Sequence, residues 1–399
     1  MTQTVHSDPF ILPPDSPEDE TGPAISPLRP GDDPSKIAVA GQWELIWHKF
    51  KRNKVALVAG VVVILFYMVA LFAEFLAPGL PTTAQPRFTY APPQDIAFFV
   101  TDAEGNRSWL PHVKGYTMEV DPASLRRSFA VDENSVIPIG FFVHGAPYKL
   151  WGLFEADLHL FGPVDHGQPM NLLGTDSLGR DLLTRLIYGT RISMSIGLIG
   201  VVSSLVIGVV LGALSGYYGG WVDLSVQRLI EVISAMPTIP LWLGLAAAIP
   251  ITWSPVTVYF VITLIVSLLA WTSLAREVRG RFFSLRGEDF VTAAILDGSS
   301  QRRVIFRHIL PSLTSHILAV VTLAIPTMIV AETALSFLGI GLKPPVVSWG
   351  VLLQDAQNIR TVATAPWLLI WPASAVVVTV LAFNFLGDGM RDAADPYET

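Results

Sequence analysis

Three groups of residues could carry chemistry. Glu332 is a lone carboxylate among Val330, Ala331, Ala334 and Leu335. An acid in such a stretch is costly unless it faces a bundle interior, a cavity or a partner charge, so Glu332 is a candidate path or gate residue. The competing reading is a bond to nearby backbone or to Thr333. Glu288 and Asp289 precede the apolar run Phe290, Val291, Thr292, Ala293, Ala294, Ile295, Leu296. Acids there complement the positive end of a helix dipole, which predicts a short helix. Its apolar residues go most of the way round, so it needs burial on several sides. Burial within its own chain and insertion into a groove of another subunit both satisfy that need. Gly298 is the expected break, Ser299 or Ser300 the next cap, and a second helix should run to Leu310 and stop at Pro311. Lastly, His308 and His316 flank Pro311 at a spacing too poor for a metal.

Familiar catalytic patterns are missing. There is no G-x-x-x-x-G-K-[ST] to cradle nucleotide phosphates, no H-E-x-x-H, no G-x-S-x-G on a strand-turn-helix pattern and no cysteine. A non-catalytic chain is therefore expected. Composition agrees, with 51% hydrophobic and 15% charged residues and a mean hydropathy of +0.50. Those values describe a polytopic membrane protein. A net charge of -7 argues against a nucleic-acid binder.

The elements that position these groups read as follows. Residues 1–41 are rich in proline and acids and predict a disordered tail. The next stretch carries Trp43, Trp47, Lys49, Lys51, Arg52 and Lys54, which suits an interfacial helix on anionic lipid. It leads into the first span, so residues 42–77 form one unit; the apolar run is long enough to stay as an anchor, and no cleavable signal is expected. Residues 78–172 form an insert of roughly 100 residues, too long for a turn and expected to be mainly β or irregular. It is either a structural cap over the helices or a ligand-binding unit.

Residues 173–396 hold the remaining spans. Asp176 or Ser177 should cap a short amphipathic helix with Arg180, Asp181 and Arg185 on its polar side, followed by span two. Gly200, Ser204, Gly208, Gly212 and Gly216 recur every four residues there, a face that lets another helix approach closely. Span three begins near Arg228 and Glu231 and is interrupted by Pro237 and Pro240. Span four should end at Ala275, where a charged loop, 276–311, begins; span five contains Pro326 and Glu332, and span six follows Pro366. The expected fold is thus an all-α polytopic membrane protein with six transmembrane helices and an extracytoplasmic insert between the first two. Basic residues before span one place the N-terminus in the cytoplasm, and six spans return the C-terminus there. Arg180, Arg185 and Arg191 dissent from the charge rule.

Residues 288–311 resemble the cytoplasmic EAA loop of importer permeases of the ATP-binding cassette class. Thr292, Ala293 and Ala294 fall on the triplet, Gly298 on its glycine, and Leu310 with Pro311 on the closing pair; Thr292 replaces the usual Glu, and His308 an Ile. Further motifs, GTDSLGRD from Gly174, GYYGGWVD from Gly216 and ETALSFLG from Glu332, resemble the C-type permease of dipeptide and oligopeptide importers. The resemblance implies a cell (inner) membrane subunit of a bacterium or archaeon. It implies docking of Glu288, Asp289, Phe290, Thr292, Ala293, Ala294, Gly298 and Pro311 on an ATPase. It also implies a second homologous permease, two ATPase subunits that bind ATP and Mg, and an extracytoplasmic solute-binding protein. Membrane lipid is the remaining partner, and no cofactor is expected in this chain. Peptide is the implied cargo; glycosides, opines and nickel complexes use related systems. An ion-coupled secondary transporter and a scaffolding membrane protein are the readings of other classes.

Overall fold

The structure, a computed structural model, describes residues 42–101, 107–120, 122, 127–165, 167–250 and 252–394. The expected tail, 1–41, lies outside the described residues. Helix α1, Gln42–Arg52, packs Phe50 against Ala393 near the chain's end. Asn53 then caps α2, Lys54–Leu71, by accepting the Ala56 N–H at 3.1 Å. Helix α2 turns Ala56, Ala59, Val63 and Ala70 inward and exposes Val58, Val61, Leu65 and Met68. Mostly alanine inside and larger apolar residues outside is the arrangement of a helix whose solvent is lipid.

The insert holds four strands: β1 Ile96–Thr101, β2 Arg107–Val120, β3 Arg127–Leu150 and β4 Phe154–Pro163. They form an antiparallel meander in the order β1-β2-β3-β4. Val113, Ile137, Ile139 and Met170 make its small core. The chain is therefore mostly helical with a β insert and is not all-α. A one-turn helix, Ala73–Leu76, leads out of α2, and the buried His159 of β4 faces the Ala77 carbonyl with Nδ1 at 2.6 Å.

Helix α3, Leu182–Tyr218, is one continuous rod and not a short helix followed by a span. Asp181 caps it, accepting the Thr184 N–H at 2.7 Å. Asp176 and Ser177, the expected caps, lie upstream of it. Gly219 ends α3, and α4, Gly220–Ala235, begins at once. Helix α4 thus starts before Arg228, the expected beginning of the third span. Helix α4 ends at Ala235, and α5, Thr238–Ala247, leaves at 86° to α4. The break falls at Pro237, which has no N–H to continue the ladder.

Helix α6, Pro255–Leu285, runs ten residues past the expected end of its span. Arg276, Glu277, Arg279 and Arg281 lie on this extension and not in a loop, because Arg and Glu are good helix formers and helicity does not require apolarity. Helix α7, Asp289–Leu296, follows. The next helical stretch does not stop at Pro311. It passes through a π-helical turn, Val304–Ile309, and a short helix, Leu310–Ser312, into α8, Thr314–Phe337. The wider π turn admits a residue without an N–H. Ser300 occupies the N-cap position of the stretch, with no side-chain bond. A short α9, Trp349–Gln354, precedes α10, Trp367–Ala394.

The core runs between α2, α3, α6, α8 and α10. Val63, Met194, Ile262, Val266, Met328, Ile329 and Phe383 meet there around Trp349, which is fully buried.

Candidate functional site: a coupling surface and its relay

Helix α7 divides its residues between two environments. Val291 and Ala294 are buried, whereas Phe290, Thr292, Ala293, Ile295 and Leu296 are exposed, Leu296 to 82%. Burial within its own chain therefore accounts for one face of α7, and the other face is exposed. Glu288 is the N-cap residue without a side-chain bond, and Asp289 stands in the first turn. Pro311 is exposed.

Gly298 closes α7. Its φ is +80°, its N–H donates to Ile295 O and the Ser299 N–H donates to Ala294 O, both at 3.0 Å. This is a Schellman ending, in which the left-handed position favours glycine. A Cβ at Gly298 would meet nothing within 4 Å. Its necessity is conformational and owes nothing to crowding within the chain.

Beneath α7 lies an apolar cluster. Val291 and Ala294 share one apolar cluster with Val304, Ile305 and Ile309, with Leu274, Val278 and Phe282 of α6, and with Ala213 of α3. The glycine face of α3 makes the same contact tight. A Cβ at Gly212 would stand 2.6 Å from Ala275 O, and one at Gly216 2.6 Å from Phe282 Cβ. Gly208 lies against Leu274, and Ser204 Oγ donates to Ser267 O at 2.9 Å. Gly200 faces Met328 of α8 instead. The stripe therefore serves two neighbours.

Ion pairs between distant residues brace this end. Arg279 of α6 grips Asp223 of α4 with two donors, Nη2 at 2.6 Å from Oδ2, and Ser215 Oγ adds a bond at 2.5 Å. The guanidinium groups of Arg279 and Arg286 lie 4.9 and 4.2 Å from the Phe283 ring centre. His316 of α8 meets Glu277 of α6 at 2.9 Å.

Glu332 is fully buried. Its Oε1 accepts from Ser336 Oγ and Ser348 Oγ, each at 2.8 Å, while Oε2 has no partner. Ser348 caps α9 through the Val351 N–H, and Trp349 N–H donates to Ser193 Oγ at 3.1 Å. A Cβ on Gly350 would be 2.7 Å from Ser336 Cβ. The carboxylate thus ties α9 to α8, while the Trp349 N–H ties it to α3. That geometry is one of packing.

At the opposite end the buried Asp176 pairs with Arg180 and the buried Arg185, accepting Arg180 Nε at 2.7 Å and the Leu178 and Arg180 N–H groups at 2.8 and 3.0 Å. Arg185 is likewise buried and does not lie on a polar face. Arg191 holds Glu74 with two donors and also donates Nε to Ala70 O at 2.7 Å. Burial pushes the Asp181 carboxyl up to about 6, the Thr184 bonds opposing the shift and the Asp176 charge adding to it. Burial, then Asp176, also raises the Asp355 carboxyl above the usual range.

Comparison with known proteins supplies the class. Residues 208–397 match a family described as binding-protein-dependent transport system inner membrane component. Residues 41–93 match the N-terminal TM domain of oligopeptide transport permease C. The oligopeptide transport system permease protein OppC of Haemophilus influenzae is 38% identical over 64% of this chain and 80% of its own length. The chain belongs to the binding-protein-dependent permeases, in their oligopeptide C-type branch. The dipeptide transport system permease protein DppC of Lactococcus lactis is 32% identical over 88% of this C-type permease and 89% of its own length. Coverage that broad runs into the insert. A chain of the MetNI methionine ABC transporter has a TM-score of 0.41 and 16% identity over 53% of this chain and 96% of its own, which adds nothing further. As a C-type permease, the chain is a multi-pass inner-membrane transport subunit.

Sequence reasoning missed the Arg279–Asp223, Arg191–Glu74 and Glu277–His316 pairs. The first two join residues 56 and 117 positions apart. No local spacing signals such pairs.

Proposed function

We propose that this permease is the membrane subunit of an ATP-driven peptide importer and that α7 is the part its ATPase pushes. The carrying observation is the division of α7, with Val291 and Ala294 seated in the relay cluster and Ile295 and Leu296 left outside it. Displacement of α7 would move Phe282 and Val278 of α6, and with them the glycine face of α3, a rigid-body coupling of packed helices. Peptide is the favoured cargo because the matched relatives are named for oligopeptide, dipeptide and glutathione transport.

In this reading the bent pair α4 and α5 counts as one of six spans, with both termini cytoplasmic. The β insert is extracytoplasmic, and Arg180, Arg185 and Arg191 are consumed by Asp176 and Glu74, which relieves their conflict with the charge rule. A second homologous permease completes the path, two ATPase subunits hold ATP and Mg, and a solute-binding protein delivers cargo. The division into a tail 1–41, a unit 42–77, an insert 78–172 and a core 173–396 belongs to the same proposal.

Uptake by the reconstituted complex tests it. Labelled di- and oligopeptides, a glycoside and a nickel chelate are supplied with the cognate binding protein, with and without ATP. ATP-dependent peptide uptake is expected; uptake driven by an ion gradient without ATP would contradict the assignment, and uptake restricted to another cargo would correct it.

A further inference from the structure

The connection between β3 and β4 is Trp151, Gly152 and Leu153, and it lies beside the end of α2 from which the chain enters the insert. Trp151 has a φ of +54° and Gly152 one of +73°, and the Leu153 N–H donates to Leu150 O at 3.0 Å. Asn, Asp or Gly suits such positions, and a bulky residue there is an outlier that points to a task for its side chain. The Trp151 indole N–H donates to Leu71 O at 2.7 Å, at the last turn of α2, and its backbone N–H donates to Glu74 Oε1 at 3.3 Å. Phe72 and Phe154 lie against the indole, and Phe75 against Phe142.

What the tip presents outward is apolar. Leu153 is 75% exposed and Phe154 is exposed by more than half, and farther back along β3 Phe141 and Phe142 are exposed as well. Between the hairpin and α2 runs an apolar groove of about 600 Å³ lined by Leu65, Met68, Phe72, Leu76, Tyr148 and Leu150. Leu65 and Met68 belong to the outward face of α2, so the groove continues the apolar outward surface of a membrane span. Lys149 and Glu155 pair at 3.1 Å just behind the tip, which leaves Leu150 to Phe154 as a short uncharged segment. An indole with its N–H bonded at the end of a span and its ring in apolar surroundings suits the membrane–water boundary.

We infer that the β3–β4 tip is seated in the lipid leaflet on its own side of the membrane, with an acyl chain along the groove between the hairpin and α2. The insert is then tethered to the bilayer at this edge, so its orientation over the helices is set by lipid as well as by the chain. The exposed pair Phe99 and Trp109 in β1 and β2 is a different surface, remote from this tip along the meander.

The natural absence of cysteine makes the test direct. Leu153→Cys, an exposed position whose replacement removes no packing, is spin-labelled in the full complex in proteoliposomes, with Trp109→Cys as the comparison. Collision with oxygen and with a water-soluble nickel chelate is measured for each. The inference expects Leu153→Cys to favour oxygen over the chelate, with the ratio reversed at Trp109→Cys. A label at residue 153 that favours the chelate places the tip in water and overturns the inference. One shielded from both places it against another protein and overturns it equally.

Discussion

Glu332 and Ser348 are joined at 2.8 Å, so that the cap of the short helix α9 is held by a carboxylate inside the span α8. One acid thereby fixes the position of Trp349, the largest fully buried side chain among the described residues. Glu332→Gln keeps a carbonyl acceptor for both serines and should retain uptake and thermal stability close to those of the parent. Glu332→Leu leaves two buried hydroxyls without their acceptor, a loss of about 1–3 kcal/mol each, and should lower the melting temperature by several degrees. Loss of uptake in a well-folded Glu332→Gln complex would show instead that a charge is required in the path.

At Gly298 the backbone decides. Gly298→Asn, which tolerates a left-handed position, should preserve assembly with the ATPase, while Gly298→Val should weaken it at a cost of about 1–2 kcal/mol in local strain. Co-purification of the ATPase measures the difference. Equal behaviour of the two variants would remove the conformational account.

The glycine face should not respond uniformly. A methyl at Gly212 meets the Ala275 carbonyl oxygen at 2.6 Å, whereas one at Gly200 meets the flexible Met328 Sδ at 3.4 Å. Gly212→Ala is expected to destabilise by about 1–3 kcal/mol through overpacking, and Gly200→Ala to be nearly neutral because a thioether moves aside. Thermal unfolding of the purified variants separates them, and a reversed order would mean that α3 and α6 are not in contact as described.

Asp181 introduces a pH dependence. Its carboxyl is raised from the ordinary 3.8 to about 6 in the folded chain, so the native state binds the proton more tightly than the unfolded one. The stability it contributes is fully present below the unfolded value and is lost as pH rises through about 6. Asp181→Asn keeps a good N-cap acceptor and cannot ionise. Compared with the parent, the variant should therefore lose less stability between pH 4 and pH 7 in thermal melts. Parallel pH profiles would assign the titration elsewhere.

Much of the helical frame is legible because hydrocarbon imposes a length on uncharged runs, and residues 55–73 or 192–216 could hardly be anything but spans. The break at Pro237 is legible for the same local reason, a missing N–H. What escapes is whatever depends on chain continuity or on distant partners. Hydropathy ends at Ala275 but the helix does not, since Arg276 to Arg281 are compatible with it. Asp176 is expected as a cap and Asp181 on a polar face; the arrival of Arg180 and Arg185 around Asp176 makes it a counter-ion and leaves the cap to Asp181. At α7 composition left burial open, because the division between Val291 and Leu296 depends on where α6 stands.

That division is most directly tested by placing single cysteines along α7 in the cysteine-free chain and coupling them to a photoreactive cross-linker in the ATPase-bound complex. Leu296→Cys and Ile295→Cys should cross-link to the ATPase, with yields that change between nucleotide-free and ATP-bound states, while Val291→Cys should link only within its own chain. Cross-linking to the ATPase from Val291→Cys, or none from Leu296→Cys in an intact complex, would contradict the assignment of α7 as the coupling element.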